Sequence, residues 1–489
     1  MEGEGKKASA NAESAANLAS VGAYAALGSQ NDETTTIAAP VQLFRKDVLE
    51  TSMYGRSDYV ARPLVSLDQK GDITFRVPPQ NNLYPVPSSF RLAGEFRVQK
   101  KETGAAAFTD CVAADKDKVS LCQFAPQALF ESLRLNFNGA AAGFLATNNY
   151  GFKCFLENSS VYGPEAAENH LICEGYAKDG EDGSLWDAAG TTDAGMKTRS
   201  QWLTEGPIAF SCPVRGDIFE CGKLLPDMLS MDVVLTRSDD DYVLIAAATS
   251  SADPAVAYRI KIDDLRLEYS KISLINPVKE YIDQQMRPKN HMSPGMGVNA
   301  VYPITRTQIK TYYVTKGNTD FHWDNIVVGK LPFFFMAVLR SQVAAMGSIK
   351  KNPFRLQHFK CTELFFRFNN QDLPVNHYRP KYVGNAGVAE YGRVLDNMKT
   401  GRFNSANLLT YNKWKDGLAC YPVDVSPDQC SGLHTHVNST GTLSLVGKFG
   451  AENGELDENI AVDVYMCFND EVQFDYARNI YAEGAVAPT

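Results

Sequence analysis

Apolar and polar residues alternate along most of this chain. The alternation is clearest at 73–77 (ITFRV), 90–98 (FRLAGEFRV), 133–137 (LRLNF), 231–235 (MDVVL), 242–245, 258–262 (YRIKI) and 265–269 (LRLEY). A strand turns successive side chains to opposite faces, so this period predicts half-buried β-strands. A polar stretch with three prolines follows at 276–298, and then the pattern restarts. It runs through 304–314, 325–328, 331–339 (LPFFFMAVL), 357–368, 441–449, 460–468 (IAVDVYMCF) and 472–476. Helical spacing is confined to short stretches, the best being 127–133 and 150–156. Residues 179–204 and 376–433, crowded with Gly, Asn, Asp, Lys, Ser and Thr, read as large exposed loops.

A parallel α/β sheet needs a helix between consecutive strands, and that pattern is missing. The sequence therefore predicts an all-β chain of two antiparallel sandwiches. Eight strands in each block is jelly-roll arithmetic, with a few short helices and long loops. The first 40 residues are different in kind, dominated by Ala, Ser, Gly and Asn. Within them Leu18, Val21, Tyr24 and Leu27 recur at three- to four-residue spacing, which predicts a short helix that forms only against a partner surface. The expected organisation is an arm over 1–40, a first β-domain over 41–275, a connector over 276–298 and a second β-domain over 299–489.

Composition narrows the function classes. With 44% hydrophobic residues in 489, the chain packs real cores. Its 48 basic and 57 acidic side chains give a net charge of −9, which argues against gripping nucleic-acid phosphates and for solubility. The arm is acidic too, with Lys6 and Lys7 against Glu2, Glu4, Glu13, Asp32 and Glu33. Ten cysteines without C-x-x-C spacing point to reduced, mostly buried thiols. No apolar run follows Lys6–Lys7 and the run at 331–339 is only strand length, so neither a secretory signal nor a membrane span is expected. Asn158-Ser-Ser and Asn438-Ser-Thr then match the glycosylation pattern by chance.

Chemistry is sparse. His434 and His436 would share a face if they lay on a strand, but two ligands make no metal site, and Cys430 and Asp428 nearby fall in loop sequence. His322 and His358 are expected to pack at strand ends. Asp263 and Asp264 are adjacent in a strand pattern and should point to opposite faces, which speaks against a catalytic carboxylate pair. The run Asp239–Asp240–Asp241 fits a solvated hairpin tip. Phe365, Phe366 and Phe368 read as core rather than as stacking platforms. No nucleophile elbow, zinc-protease helix or phosphate loop occurs. No catalytic residue, cofactor or metal ligand is expected.

Several segments together resemble the major capsid proteins of Polinton (Maverick) elements and adintoviruses, within the double jelly-roll lineage that includes virophage coat proteins and adenovirus hexon. In the first block they are 129–156 (LFESLRLNFNGAAAGFLATNNYGFKCFL), Leu224-Leu-Pro, Thr236-Arg-Ser and Ile275-Asn-Pro-Val. In the second they are Tyr302-Pro-Ile-Thr-Arg-Thr-Gln-Ile-Lys, Gly329-Lys-Leu-Pro, Lys351-Asn-Pro-Phe, Gly441-Thr-Leu-Ser-Leu-Val and Phe474-Asp-Tyr-Ala-Arg-Asn-Ile. Order and spacing agree from about 125 to 480; residues before Thr36 and the two large loops match nothing in the family. The resemblance implies a non-enzymatic structural protein of the virion, made inside a host cell and without a membrane span. Three copies would form a pseudo-hexagonal capsomer in an icosahedral shell around double-stranded DNA. Its partners would be its own homotrimer, neighbouring capsomers and the penton and minor capsid proteins, with no sequence-specific hold on nucleic acid. The arm would reach neighbouring capsomers through Leu18, Val21, Tyr24 and Leu27. A minor coat or vertex protein, or a carbohydrate-binding or carbohydrate-active sandwich, stands as the alternative.

Overall fold

The computed structural model describes residues 51–67, 70–187, 189–190, 192–246, 256–287, 297–400, 406–427, 436–450 and 456–482 of the chain. By its contacts the chain divides into Met1–Met53, nearly all outside the described residues, and Tyr54–Thr489, which holds every sheet.

The first block contains β1 (Met53–Ala61), β2 (Asp72–Val77), β3 (Arg91–Glu102), β4 (Phe130–Phe137), β5 (Ala140–Ala141), β6 (Ile208–Pro213), β7 (Met231–Arg237) and β8 (Val256–Leu274). They lie in two sheets, β1-β8-β3-β6 and β2-β7-β4-β5. The second block contains β9 (Ala300–Val314), β10 (Asp320–Lys330), β11 (Phe334–Ser341), β12 (Cys361–Phe368), β13 (Gln371–Tyr378), β14 (Cys420–Asp424), β15 (Thr440–Phe449) and β16 (Ile460–Phe474). Its sheets run β9-β16-β11-β14 and β10-β15-β12-β13. The second order is the first shifted by one full set of strands, so one antiparallel topology is built twice. Each set is a jelly roll, and the chain is a double jelly roll.

Burial explains which segments became central strands. In β16 every residue from Ile460 to Phe468 is buried, as expected for a strand covered on both faces. Phe335 of β11 and Phe366 of β12 meet at 4.6 Å between ring centroids and tie the two sheets of the second barrel together. In the first barrel, β3 and β8 are long partners whose register shifts between Ile262 and Asp264. Gly94 lies at that bulge, where a Cβ would stand 2.3 Å from the Asp264 carbonyl oxygen, so the two strands approach too closely for any side chain.

That bulge corrects the expectation for Asp263 and Asp264. Ile262 and Leu265 are both buried while the two aspartates between them are not, because the extra residue returns both carboxylates to the outer side. Each has its own arginine, Arg97 Nε at 2.5 Å from Asp263 and Arg266 Nη1 at 3.2 Å from Asp264.

Helices are short: the principal ones are α1 (Tyr150–Val161), α2 (Ala194–Glu205), α3 (Asn276–Met286), α4 (Val388–Asn397) and α5 (Tyr411–Lys415). The helix expected at 127–133 is one turn at Ala125–Ala128, after which β4 begins and alternates. The expected strand at 242–245 is a helical turn, Asp240–Val243, followed by the short strand Leu244–Ala246. The connector carries α3, opened by Pro277 at its first turn, where a missing N–H is harmless. Residues 179–204 are not an exposed loop. They hold α2, capped by the Asp193 carboxylate on Met196 N–H, and bury Trp186, Met196 and Leu203. Arg199 and Asp179, both fully buried, pair at 2.8 Å. Residues 376–433 likewise hold α4, α5 and the buried β14.

Candidate functional site

A buried network of polar groups lies where the two barrels meet. Helix α1 brings Lys153 and Glu157, one turn apart, into this seam. Lys153 Nζ is 2.8 Å from Asp217 Oδ1 and 3.6 Å from Glu157 Oε1, with Lys153 and Asp217 side chains 2% and 3% exposed. From the second barrel, Thr307 of β9 donates its N–H and its hydroxyl to Asp217, at 3.1 and 2.8 Å. Tyr465 of β16 donates its hydroxyl to Glu157 Oε1 at 3.0 Å. Two strands of one barrel thus hydrogen-bond the carboxylates of a charged cluster rooted in the other. Burial disfavours the Lys153 charge, but Asp217 and Glu157 outweigh it and hold the ammonium above the ordinary lysine range. For Glu157 burial wins over Lys153, and its carboxyl is pushed up to about 7.

Aromatic packing surrounds the network. Phe155 of α1 stacks on Phe354 of the second block at 4.5 Å, and Phe152 and Tyr242 flank the same ring. The Arg340 guanidinium of β11 lies 3.9 Å over Phe152, while its Nε holds the buried Asp463 of β16 at 2.6 Å. Nearer the chain's end, Phe137 and Tyr302 both meet Phe474, and Arg478 pairs with the buried Asp227 at 2.7 Å.

The long insertions interlock as well. Asn352 donates its N–H to Asp187 and its amide to the Trp186 carbonyl, and Arg355 bridges Asp187 and Asp416. Gly417, at φ +117°, lies against the Trp186 indole, where a Cβ would come within 2.7 Å of the ring. Tyr382, Tyr391 and Tyr411 gather around the fully buried Trp414. Loops of both barrels therefore share one packed interior.

The residues singled out from sequence are scattered. Leu18, Val21, Tyr24, Leu27, Asp428, Cys430 and His434 lie outside the described residues, and His436 lies in no strand. Asp240 is no solvated tip residue: it is 8% exposed and paired with Arg237 at 3.2 Å, because the run forms a helical turn against the sheet. His322 is exposed on β10 rather than packed. His358 stacks on Tyr382 at 3.7 Å, and burial lowers its pKa to about 4. Phe365 and Phe366 are buried and Phe368 is half-buried. Asn158 is buried in α1 and donates to Gln127, so it is a structural amide. Among the described residues, cysteines are free thiols and only Cys173 is exposed. Among them, too, no three His, Cys, Asp or Glu side chains gather as a metal site, and no helix is long and apolar enough to cross a membrane. The seam residues escaped the sequence reading, although a lysine within the apolar run YGFKCFL, one turn before a glutamate, is the signature of a buried ion pair.

No family model matches the chain. A Caenorhabditis elegans protein, the uncharacterized F54H12.2, is 20% identical over 362 residues, covering 73% of this chain and 80% of that protein. Among solved structures, a chain of the Sputnik virophage superposes with a TM-score of 0.60 at 10% identity, over 94% of both chains. The Faustovirus major capsid protein gives 0.56 at 9% identity, covering 94% of this chain and 98% of that one. The mavirus major capsid protein gives 0.54 at 10% identity, over 94% of this chain and all of the other, 100%. At these identities the likeness is one of fold: the chain has the double jelly-roll architecture of those viral coat proteins.

Proposed function

We propose that this chain is a viral major capsid protein, a non-enzymatic subunit that forms homotrimeric, pseudo-hexagonal capsomers of an icosahedral shell around double-stranded DNA. One observation carries the reading: the same eight-strand order is built twice in one chain, and the two barrels are joined by a buried seam. Three such chains give six similar barrels, which suits a six-fold lattice position. The likeness to the mavirus and Faustovirus major capsid proteins supports the same reading.

On this reading the chain functions in the virion, with neighbouring capsomers and penton and minor capsid proteins as partners. Residues 41–275 and 299–489 are its two jelly rolls, 276–298 joins them, and 1–40 is the arm that reaches neighbouring capsomers. A Polinton or adintovirus origin is the finer assignment. Electron microscopy of the purified full-length protein tests the proposal. Trimers or shell-like particles are expected, and a strictly monomeric protein at high concentration overturns it.

A further inference from the structure

His358 sits in the turn that leads into β12, against the packed interior of the insertions. Its imidazole stacks on Tyr382 with 3.7 Å between ring centroids. Tyr382 in turn donates its hydroxyl to the Cys361 carbonyl and lies 6.0 Å from the buried Trp414. The His358 Nδ1 accepts the Lys360 N–H at 2.8 Å, and the His358 carbonyl accepts the Cys361 N–H at 2.8 Å. Within this turn Phe359 and Lys360 both hold left-handed backbone, at φ +44° and +55°, which non-glycine residues adopt only at a cost. The imidazole therefore pins a strained turn, and it does so only while Nδ1 keeps its lone pair. A proton there sets two N–H groups head to head.

Arg355, Lys360 and Lys415 face the cavity beside the ring, together with Asp416, Asp457 and Glu458. Each carboxylate is already held, Asp416 by Arg355 at 3.2 Å, Asp457 by Lys360 at 3.4 Å and Glu458 by Lys351 at 2.8 Å. Among the described residues around it, a charged imidazole thus finds no free carboxylate. Burial disfavours the charged ring, Asp416 favours it, and Arg355 and Lys360 oppose it, so that the pKa falls to about 4.

We propose that His358 is an acid-operated latch: protonation at Nδ1 opens the turn 358–360 and releases Tyr382 from the interior around Trp414. The device goes beyond the coat-protein reading and stands whether or not shells form. Once the turn opens, the ring regains its ordinary value of 6.5, and the open form takes up a proton that the closed form refuses. Closure is therefore complete above about pH 6.5 and weakens as pH falls toward about 4.

Hydrogen exchange of the full-length protein, read by mass spectrometry over residues 356–361 at about pH 7 and about pH 5 and corrected for the intrinsic rate at each, tests the latch. Local exchange is the readout because the raised carboxyls of Glu157 and Asp179 tilt global stability the opposite way. Protection of the turn should fall about twentyfold between the two conditions, while β4 keeps its protection. His358→Asn, whose side-chain oxygen takes the place of Nδ1 without titrating, should be equally protected in both. His358→Phe, which keeps the stack and removes the acceptor, should lose protection already at neutral pH. Equal protection of the wild type in both conditions, a fall that persists in His358→Asn, or a His358→Phe turn as protected as the wild type at neutral pH overturns the proposal. Should neither variant fold, the wild type with 13C-labelled histidine decides: His358 should titrate with a midpoint below about 5.5, and a midpoint at or above that overturns the latch.

Discussion

Lys153 of one barrel is held by Asp217 at 2.8 Å, and that carboxylate is in turn held by the backbone and hydroxyl of Thr307 in the other barrel. The pair is almost wholly shielded from solvent, so neither member can be removed without stranding the other. Lys153→Met is expected to destabilise the protein by about 3–5 kcal/mol, the usual result of leaving a buried charge unpaired. Denaturant unfolding of the purified protein measures it. A loss below about 0.5 kcal/mol, typical of a surface change, would show that the seam is not desolvated.

Glu157 makes stability depend on pH in a direction opposite to ordinary salt-bridged carboxylates. Its pKa is raised by burial from 4.5 to about 7, so the folded state binds a proton that the unfolded state has released. That contribution is complete below about 4.5 and is lost as pH rises through about 7. Asp179, pushed up by burial to about 6, acts with the same sign over a lower range. Melting temperature should therefore fall between about pH 4.5 and 7 in the wild type and level off above it, and Glu157→Gln should flatten the upper part of the fall, between about pH 6 and 7, where Asp179 has ceased to contribute. An unchanged slope in the variant would assign the effect elsewhere.

The stack of Phe155 on Phe354 is the apolar counterpart of the ion pair. Phe354→Ala should cost about 3–5 kcal/mol, as for other large rings removed from a packed interior. Amide exchange should accelerate around Tyr242 and α1 together, because both lean on the same ring. Acceleration confined to residues beside position 354 would mean that the barrels are not mechanically joined there.

Gly417 tests the interlocked insertions. Alanine there meets both a φ of +117° and the Trp186 ring, so Gly417→Ala should lose about 1–3 kcal/mol and quench or shift tryptophan fluorescence. Gly222→Ala is the control, since a Cβ there meets open space and the change should stay within about 0.5 kcal/mol.

Deletion of residues 1–36 addresses the arm. Trimers should persist and shell closure should fail, as judged by sedimentation and electron microscopy. Particles of normal size and yield from the truncated chain would remove the arm from assembly.

Alternation alone determined the fold class, because strands with one face in a core write period two into the sequence. Segments 73–77, 133–137, 231–235 and 441–449 lie inside observed strands for that reason. Five strands left no such trace, one of them, β5, because it is only two residues long. β1 is exposed along most of its length, so it has no apolar face to announce it. β6, β13 and β14 end their sheet orders and contain Pro213, Pro374 and Pro422, which an edge tolerates and a sequence pattern reads as a break. The tertiary structure decided the rest. Asp179 and Arg199, or Lys153 and Asp217, look like surface residues one at a time. Each can be buried only because folding sets an opposite charge beside it, at a separation along the chain that no local pattern encodes.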